Sequence, residues 1–251
     1  MPRLSAIIPV RNRAGTRLRN CLESLRWQEM PAEELEIVLS DFGSNDEHAA
    51  SIRALADEYG ARVTRTEEFG DWNRSRALNL GIQASTGEYV FCTDADMIFA
   101  PNFVPEILKV HDRMAASGGK ALVVCHCTDL PQSVPEQDYA LADFERLRAA
   151  GDCRRSPGTG ACQSAKREFF FHARGYDEKF VHWGSEDTDM RDRAIEAGHE
   201  MVYISDETAM LHQWHPTSRF SRLIQNRKNA IRWYFTRKQV VKNLEGWGHQ
   251  Q

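Results

Sequence analysis

The sequence predicts an α/β protein built on a mostly parallel sheet with helices on both faces. Apolar and β-branched runs at 4–10, 35–40 and 61–66 alternate with two segments whose apolar residues recur at helical spacing. A further run at 90–93 ends directly in Asp94 and Asp96. Strands that alternate with helices in this way form parallel units with crossover helices, so the order of the elements predicts the fold class.

Local signals define the individual elements. Leu18, Leu22 and Leu25 mark the first helix, and Gly60 suits the C-terminal cap of the second helix. A third helix carries two arginines at its start, just before the run that ends in the acidic pair. Further helices are predicted at 101–114, 139–150 and 186–197, further strands at 120–126 and 201–204, and a loop at 151–160.

The bulk properties describe an ordinary globular protein. The chain has 251 residues with 41% hydrophobic and 27% charged residues, enough for one large α/β domain. A net charge of -4 gives no general attraction to nucleic acid, so no nucleic-acid partner is expected. The apolar run before Pro9 is too short for a signal peptide or a membrane span, which predicts a cytoplasmic protein.

Cysteine usage agrees with a reducing compartment. The six cysteines show no Cys-x-x-Cys spacing. Cys125 and Cys127 flank His126, but neighbouring residues on a strand point to opposite faces, so buried thiols are favoured over a zinc site.

The acidic pair at the end of the buried run indicates a cation site. Buried carboxylates are normally paired or coordinate a metal, and carboxylate oxygens suit Mg²⁺ or Mn²⁺. In open parallel sheets, ligands lie beyond the carboxyl ends of the strands, where Asp41, Arg76, Asp94 and Asp96 all fall. The pair alone is weak evidence, because an acidic surface turn has the same sequence.

A second carboxylate cluster opens the helix predicted at 186–197. Ser185 is a suitable N-cap, and Glu186, Asp187 and Asp189 then lie in the first turn. These acids complement the helix dipole, which lowers their pKa values, while mutual repulsion and desolvation raise them. A carboxylate whose pKa is raised can serve as a general base, so helix capping and catalysis both remain open.

His212 is the third candidate group. A single histidine is more often structural than a ligand, but this one follows two carboxylate clusters, and imidazole is an acceptable ligand for Mn²⁺-like ions.

Together, the segments at 94–96, 183–189 and 212–216 resemble those of a known family. The chain is similar to GT-A-fold glycosyltransferases of family 2, with a Rossmann-like nucleotide-binding half. Its second half resembles the galactosyltransferase-type segment of chondroitin-polymerase-like enzymes and β-1,4-galactosyltransferases. The resemblance covers nearly all of 4–216. It implies an inverting transfer of a hexose or N-acetylhexosamine from a nucleoside diphosphate sugar, UDP-sugar favoured, to an acceptor hydroxyl.

The resemblance also implies residue roles. Asp187 is the expected catalytic base, and Asp96 and His212 are the expected ligands of Mn²⁺ or Mg²⁺, with Asp94 near the ribose or bound to the metal through water. Phe42 departs from the family pattern, which has a second acid there. The expected acceptor residues are Trp183, Gly184, Glu186 and Asp187, and the expected donor residues are Pro9, Val10, Arg11, Asp41, Arg76, Asp94, Ala95 and Asp96.

The predicted organisation is a GT-A domain at 1–217 followed by a C-terminal segment at 218–251. Within the domain, 1–100 form the nucleotide-binding half and 101–217 the acceptor-binding half. The stretch 218–243 contains no acid, and its basic and apolar residues predict a basic amphipathic helix. Such a helix either packs its apolar face on the domain or contacts an anionic membrane or acceptor, which would make the protein membrane-peripheral.

The acceptor remains open among a saccharide, a lipid-linked compound, a peptide and a small molecule. Two rival functions also remain: a sugar-nucleotide nucleotidyltransferase, and a carbohydrate-binding domain without catalysis. The first favours a Gly-rich, Lys-containing loop after the first strand, where this chain has Arg11-Asn12-Arg13. The second expects broken carboxylates, whereas both acidic clusters are intact.

Overall fold

The computed structural model describes residues 1–67, 70–154, 160–182, 184–216 and 222–248, with the backbone alone for 222–225. Strands in these ranges are β1 (Leu4–Val10), β2 (Leu35–Phe42), β3 (Arg62–Thr66), β4 (Tyr89–Cys92), β5 (Met97–Phe99), β6 (Ala121–Val124), β7 (Cys127–Asp129), β8 (Asp152–Cys153), β9 (Gln163–Lys166), β10 (Glu200–Tyr203) and β11 (Met210–His212). Helices are α1 (Thr16–Arg26), α2 (Asp46–Tyr59), α3 (Arg74–Ala84), α4 (Phe103–Ala116), α5 (Phe144–Ala150), α6 (Arg167–Ala173), α7 (Glu186–Glu196) and α8 (Arg222–Thr236).

The central sheet is mostly parallel, as predicted. Its seven strands run in the order β10-β6-β9-β4-β1-β2-β3, and β9 alone among them pairs antiparallel, with β4 and β6. Every residue of β1 is buried, because helices cover both faces of a sheet of this kind. Because β1 pairs parallel with both β2 and β4, the carboxyl ends of these three strands meet at one edge of the sheet.

The third helix packs directly on the first strand. A Cβ on Gly81 of α3 would lie 2.4 Å from Cγ2 of Ile7 in β1, so only glycine permits this approach. The close packing places the first turn of α3, with Arg74 and Arg76, at the carboxyl edge of the sheet. The second helix ends as predicted, since Gly60 adopts a left-handed conformation with φ 65°.

A second, smaller sheet was not predicted. It has the order β5-β11-β7-β8, in which β11 pairs antiparallel with β5 and parallel with β7. Its strands are two or three residues long, too short for a periodic pattern in the sequence. The pairing of β11 with β5 places His212 opposite Met97, which directly follows Asp96.

Several predicted boundaries move. The helix expected at 139–150 begins at Phe144, after a 3-10 turn at Leu141–Asp143. The strand β9 was missed because Gln163 and Ser164 are polar; both are fully buried, and the Ser164 hydroxyl lies 3.0 Å from His111 Nε2. Residues 155–159 of the loop expected at 151–160 lie outside the described residues.

The C-terminal segment packs on the domain through both apolar and charged side chains. Trp247 is buried in the same apolar cluster as Phe170 and Tyr176. The buried Lys242 lies 3.4 Å from Asp189 Oδ1. In the described chain, no helix is both long enough and apolar enough to cross a membrane. The divisions at 100/101 and 217/218 stay predictions.

The helix expected over 218–243 corresponds to α8, and 218–221 lie outside the described residues. Of the two alternatives left open for this helix, packing of the apolar face on the domain does not hold for Ile231, Tyr234 and Phe235, which are exposed. The helix instead contacts α7 and its preceding loop through Asn229 and Trp233.

Candidate active site

The candidate site lies at the carboxyl edge of the central sheet. Asp41 lies near the end of β2, and Asp94 and Asp96 follow β4. Ala95 between the two aspartates is buried, so the acidic segment is packed against the core rather than projecting as a surface turn. An edge of this kind, where parallel strands end, is where α/β proteins bind their ligands.

Asp96 lies beside two histidines. Asp96 is 5% exposed; its Oδ1 lies 3.8 Å from His212 Nε2, and its Oδ2 lies 3.3 Å from His215 Nε2. One ligand atom of each residue falls within 4.8 Å of the others. A carboxylate and two imidazoles are a suitable donor set for a divalent cation such as Mn²⁺. The structure thus brings Asp96 and His212 together, and it adds His215, which the sequence analysis did not assign.

A second carboxylate orients His212. The Nδ1 atom of His212 lies 3.0 Å from Asp129 Oδ1, an arrangement that leaves Nε2 directed at Asp96. Burial alone would raise the pKa of Asp129, but hydrogen bonds from Arg154 and His212 lower it below its ordinary value. Asp129 therefore stays ionised and holds the imidazole in one orientation.

Arg13 places a positive charge beside this cluster. Its Nη1 lies 3.2 Å from Asp96 Oδ2, and its side chain is 56% exposed. Because the arginine is exposed, it can move from the carboxylate to an anionic ligand at modest cost. Neighbouring Arg11 donates to the Gly70 carbonyl at 2.6 Å.

The expected nucleotide residues border the ends of β1 and β2. Pro9 and Val10 are buried at the end of β1. Asp41 is 1% exposed, pairs with Arg65 at 2.5 Å and accepts a hydrogen bond from the Ser44 N–H at 2.9 Å. This network fixes the loop after β2.

Arg74 links the metal side of the site to the second acidic cluster. It is 7% exposed, and its Nε donates to Asp94 Oδ1 at 2.8 Å. Its Nη2 donates to the Gly160 carbonyl at 2.7 Å, and its Nη1 lies 3.9 Å from Glu186 Oε1. Arg76, the arginine expected at the donor, pairs with Glu178 at 3.4 Å instead of reaching the acidic pair. The two arginines lie two positions apart, so they face different sides of α3.

The three acids of α7 occupy three environments. Asp189 is fully buried against Arg193, with 2.7 Å between Oδ2 and Nε. Glu186 is 6% exposed and accepts a hydrogen bond from the Gly184 N–H at 2.9 Å. Asp187 is only partly buried, and Gly160 lies against its side chain. Asp187 is therefore the member of the cluster that a substrate can reach.

Burial raises the pKa of Glu186 to about 7, although Arg74 opposes the shift. The upward shift expected for one acid of this cluster thus falls on Glu186, and burial also raises the pKa of Asp189, although Arg193 opposes that shift. Ser185 occupies the N-cap position of α7, as predicted, but it has φ 73° and its side chain makes no capping hydrogen bond. Gly184 also has positive φ, 104°, so the backbone turns sharply before α7. Trp183 lies outside the described residues.

Two family models match the chain. One, described as glycosyl transferase family 2, matches residues 5–170, and one described as the N-terminal domain of galactosyltransferase matches residues 154–216. These matches confirm the resemblance that the sequence motifs carried.

Curated relatives agree with this family. Validoxylamine A glucosyltransferase of Streptomyces hygroscopicus subsp. jinggangensis (strain 5008) is 24% identical, over 98% of this chain and 66% of its own length. Chondroitin synthase of Escherichia coli is 25% identical, over 85% of this chain and 35% of its own length. The chain thus spans 66% or less of the length of these two relatives.

Solved structures share the fold. S. aureus TarS 1-349 in complex with UDP-GlcNAc has a TM-score of 0.65 at 15% identity, covering 88% of this chain and 61% of that one. The mannosyltransferase PcManGT from Pyrobaculum calidifontis, in complex with GDP-Man and Mn²⁺, has a TM-score of 0.61 at 21% identity, covering 92% of this chain and 64% of that one. The GT-A fold is thereby confirmed. Since the first family model covers residues 5–170, the chain belongs to the glycosyltransferases of family 2.

Proposed function

We propose that the chain is an inverting, metal-dependent glycosyltransferase that moves a hexose or N-acetylhexosamine from a UDP-sugar to a hydroxyl of a saccharide. The observation that carries the proposal is the cluster of Asp96, His212 and His215 at the carboxyl edge of the sheet. Arg74 connects this edge to the helix that presents Glu186 and Asp187. Glycosyl transfer from a nucleoside diphosphate sugar needs a cation site for the diphosphate and a reachable carboxylate for the acceptor. In this chain one arginine lies between the two.

Donor and metal are supported by the compared structures. TarS binds UDP-GlcNAc and PcManGT binds GDP-Man with Mn²⁺. In this chain Asp96, His212 and His215 would hold Mn²⁺ or Mg²⁺, with Asp94 near the ribose or bound to the cation through water. When bound, such a cation neutralises the charge that develops on the leaving diphosphate. Pro9, Val10, Arg11, Asp41, Arg76 and Ala95 stay proposed donor residues.

The chemical step is assigned to Asp187. The acceptor oxygen forms a bond with the anomeric carbon, the bond from that carbon to the diphosphate oxygen breaks, and the acceptor proton passes to the Asp187 carboxylate. A single displacement of this kind inverts the anomeric configuration. Asp189, fully buried against Arg193, is not accessible for this role. Arg74 holds Asp94 in place on the donor side during the step.

Glu186 and Gly184, with Trp183, are the proposed acceptor residues. Glu186 binds the Gly184 N–H and so fixes the loop that leads into α7. A cleft of ≈210 Å³ is lined by Tyr139 and Trp214 among other residues, and its size and aromatic lining support a saccharide substrate. Aromatic rings with nearby polar groups are suited to the faces and hydroxyls of a sugar ring. A lipid-linked acceptor, a cytoplasmic location and the lack of a nucleic-acid partner stay predictions.

A nucleotide-release assay tests the proposal and separates it from its rivals. The chain is incubated with UDP-sugars and saccharide acceptors, with and without Mn²⁺, and products are followed by nuclear magnetic resonance. We expect Mn²⁺-dependent release of UDP and an anomeric configuration opposite to that of the donor. Release of inorganic diphosphate would instead support a nucleotidyltransferase, and donor binding without turnover would support a non-catalytic domain. A retained configuration would refute inversion.

A further inference from the structure

The C-terminal helix α8 carries its apolar residues on the face turned away from the domain. Ile231, Tyr234 and Phe235 are 60%, 62% and 75% exposed. Their spacing of three and four positions places them on one side of the helix, so they form a continuous strip, here called the outer face. An amphipathic helix that only covers a domain buries its apolar strip, and this helix does the opposite.

Polar groups hold the other side of α8 to the domain. Asn229 donates to the Gly184 carbonyl at 3.1 Å, and Arg232 Nε donates to Asp177 Oδ2 at 2.8 Å. The indole N–H of Trp233 donates to Asp192 Oδ2 at 2.9 Å. These bonds fix the orientation of the helix, so the exposure of the outer face is built into the fold.

Cations border the outer face. Arg227 and Lys228 lie one turn before Ile231, Lys238 lies one turn after Tyr234, and all three cations are exposed. The sequence has no acid from 218 to 244, so every charged side chain that this segment itself contributes is basic. The basic groups and the apolar strip together fit a partner that offers negative charge outside and hydrocarbon beneath.

We propose that α8 binds an anionic lipid bilayer through its outer face. Ile231, Tyr234 and Phe235 enter the boundary between headgroups and acyl chains, and Arg227, Lys228 and Lys238 meet the anionic headgroups. A second copy of the chain is a poorer partner, because a symmetric contact would set these cations against their own copies. This binding is independent of the proposed reaction.

The inner contacts give the binding a consequence for the site. Asn229 holds the Gly184 carbonyl, so α8 on a bilayer places the loop before α7 close to the membrane surface. An acceptor presented at that surface is therefore favoured, a consequence that does rest on the proposed function.

Vesicle flotation of the full chain tests the proposal. Vesicles of phosphatidylcholine alone are compared with an equimolar mixture of phosphatidylcholine and phosphatidylglycerol, at low and raised salt. We expect binding to the anionic vesicles alone, weakened by salt because headgroup attraction is screened. Ile231→Ser with Phe235→Ser is expected to reduce binding by about tenfold or more, as apolar contact is lost. Lys228→Glu with Lys238→Glu is expected to do the same through charge.

Leu141→Ser is the matched control. Like Ile231 and Phe235, Leu141 has an exposed apolar side chain, at 47%, but it lies far from α8 in the sequence. It should bind as the unaltered chain does, and all variants should melt at similar temperatures. No flotation of the unaltered chain with anionic vesicles at low salt would overturn the proposal. Binding that survives the double change Ile231→Ser with Phe235→Ser would also overturn it. So would light scattering that shows a dimer of the unaltered chain, broken by the same double change, when no binding to vesicles is seen.

Discussion

The backbone N–H of Gln213 donates to the carbonyl of Asp96 at 2.9 Å, directly beside the pairing of β11 with β5. This bond joins two segments that are far apart in the sequence. It sets the separation between the backbone positions that carry Asp96 and His212, whose Oδ1 and Nε2 atoms lie 3.8 Å apart. A cation would therefore meet ligands that are already in place, which lowers the cost of ordering them on binding.

The first prediction concerns Mn²⁺ affinity in the presence of UDP. His215→Ala removes a proposed ligand and should weaken Mn²⁺ binding strongly. Asp129→Asn removes only the group that orients His212, so it should weaken binding by about 10- to 100-fold. Titration calorimetry measures both. His172→Ala, on an exposed position of α6, is the control. Unchanged affinity after His215→Ala would remove this histidine from the site.

The second prediction separates the base from the donor site. Asp187→Asn keeps the size of the side chain but cannot take up the acceptor proton, so turnover should fall by about 10²- to 10⁴-fold. Donor affinity should hardly change, since the cation ligands lie elsewhere. Steady-state rates and donor calorimetry give the two values. Asp206→Asn, at an exposed position, should leave both unchanged. Full turnover in the Asp187 variant contradicts the assignment.

Much of the fold could be predicted because parallel strands are buried on both faces. The run at β1 is buried along its whole length, and its residues are apolar enough to mark a strand without any alternation. The position of Asp94 and Asp96 at a strand end was predictable for the same reason. Their different neighbours, Arg74 for Asp94 and His215 for Asp96, depend on tertiary structure.

Other features of the site have sequence signals that are weak or ambiguous without the tertiary structure. The spacing of His212 and His215 is visible in the sequence, but its meaning depends on β5 and β11, which are three residues long. Arg74 and Arg76 differ only by two positions on a helix, so their partners follow from how α3 packs. The separate environments of Glu186 and Asp189 likewise follow from the rotation of α7.

The third prediction is a pH dependence of stability. Burial raises the pKa of Glu186 from 4.5 to about 7, so the folded state retains a proton that the unfolded state releases. The contribution of Glu186 to the free energy of unfolding is fully present below pH 4.5 and is lost as the pH rises through about 7. Glu186→Gln removes the titration, and its melting temperature should therefore rise relative to that of the unaltered chain across this window.

Thermal unfolding of both proteins without metal, at several pH values, measures the difference. Glu145→Gln, at an exposed position on α5, should follow the unaltered chain throughout. Parallel profiles for the Glu186 variant and the unaltered chain would show that Glu186 is ionised in the folded state well below neutral pH.

The last prediction concerns the ion pair beneath the site. Asp189 and Arg193 have fully buried side chains, with 2.7 Å between Oδ2 and Nε, and Lys242 lies 3.4 Å from Asp189 Oδ1. Asp189→Ala leaves two buried cations without their shared carboxylate, so it should lower the free energy of unfolding by about 3–5 kcal/mol. Lys242→Met should cost less, because Arg193 still neutralises Asp189.

Urea unfolding measures the free energy of unfolding of these two variants and of a control, Glu145→Ala. Glu145 lies 3.9 Å from Arg148 in an exposed pair, so its loss should cost about 0–1 kcal/mol. The order Asp189→Ala, Lys242→Met, Glu145→Ala follows from burial and pairing alone. A cost for Asp189→Ala no larger than that of the exposed control would mean that water reaches Arg193 once the carboxylate is gone. In that case the pair does not anchor the first turn of α7, and the position of Asp187 must depend on Gln163, which donates to its backbone carbonyl at 2.8 Å.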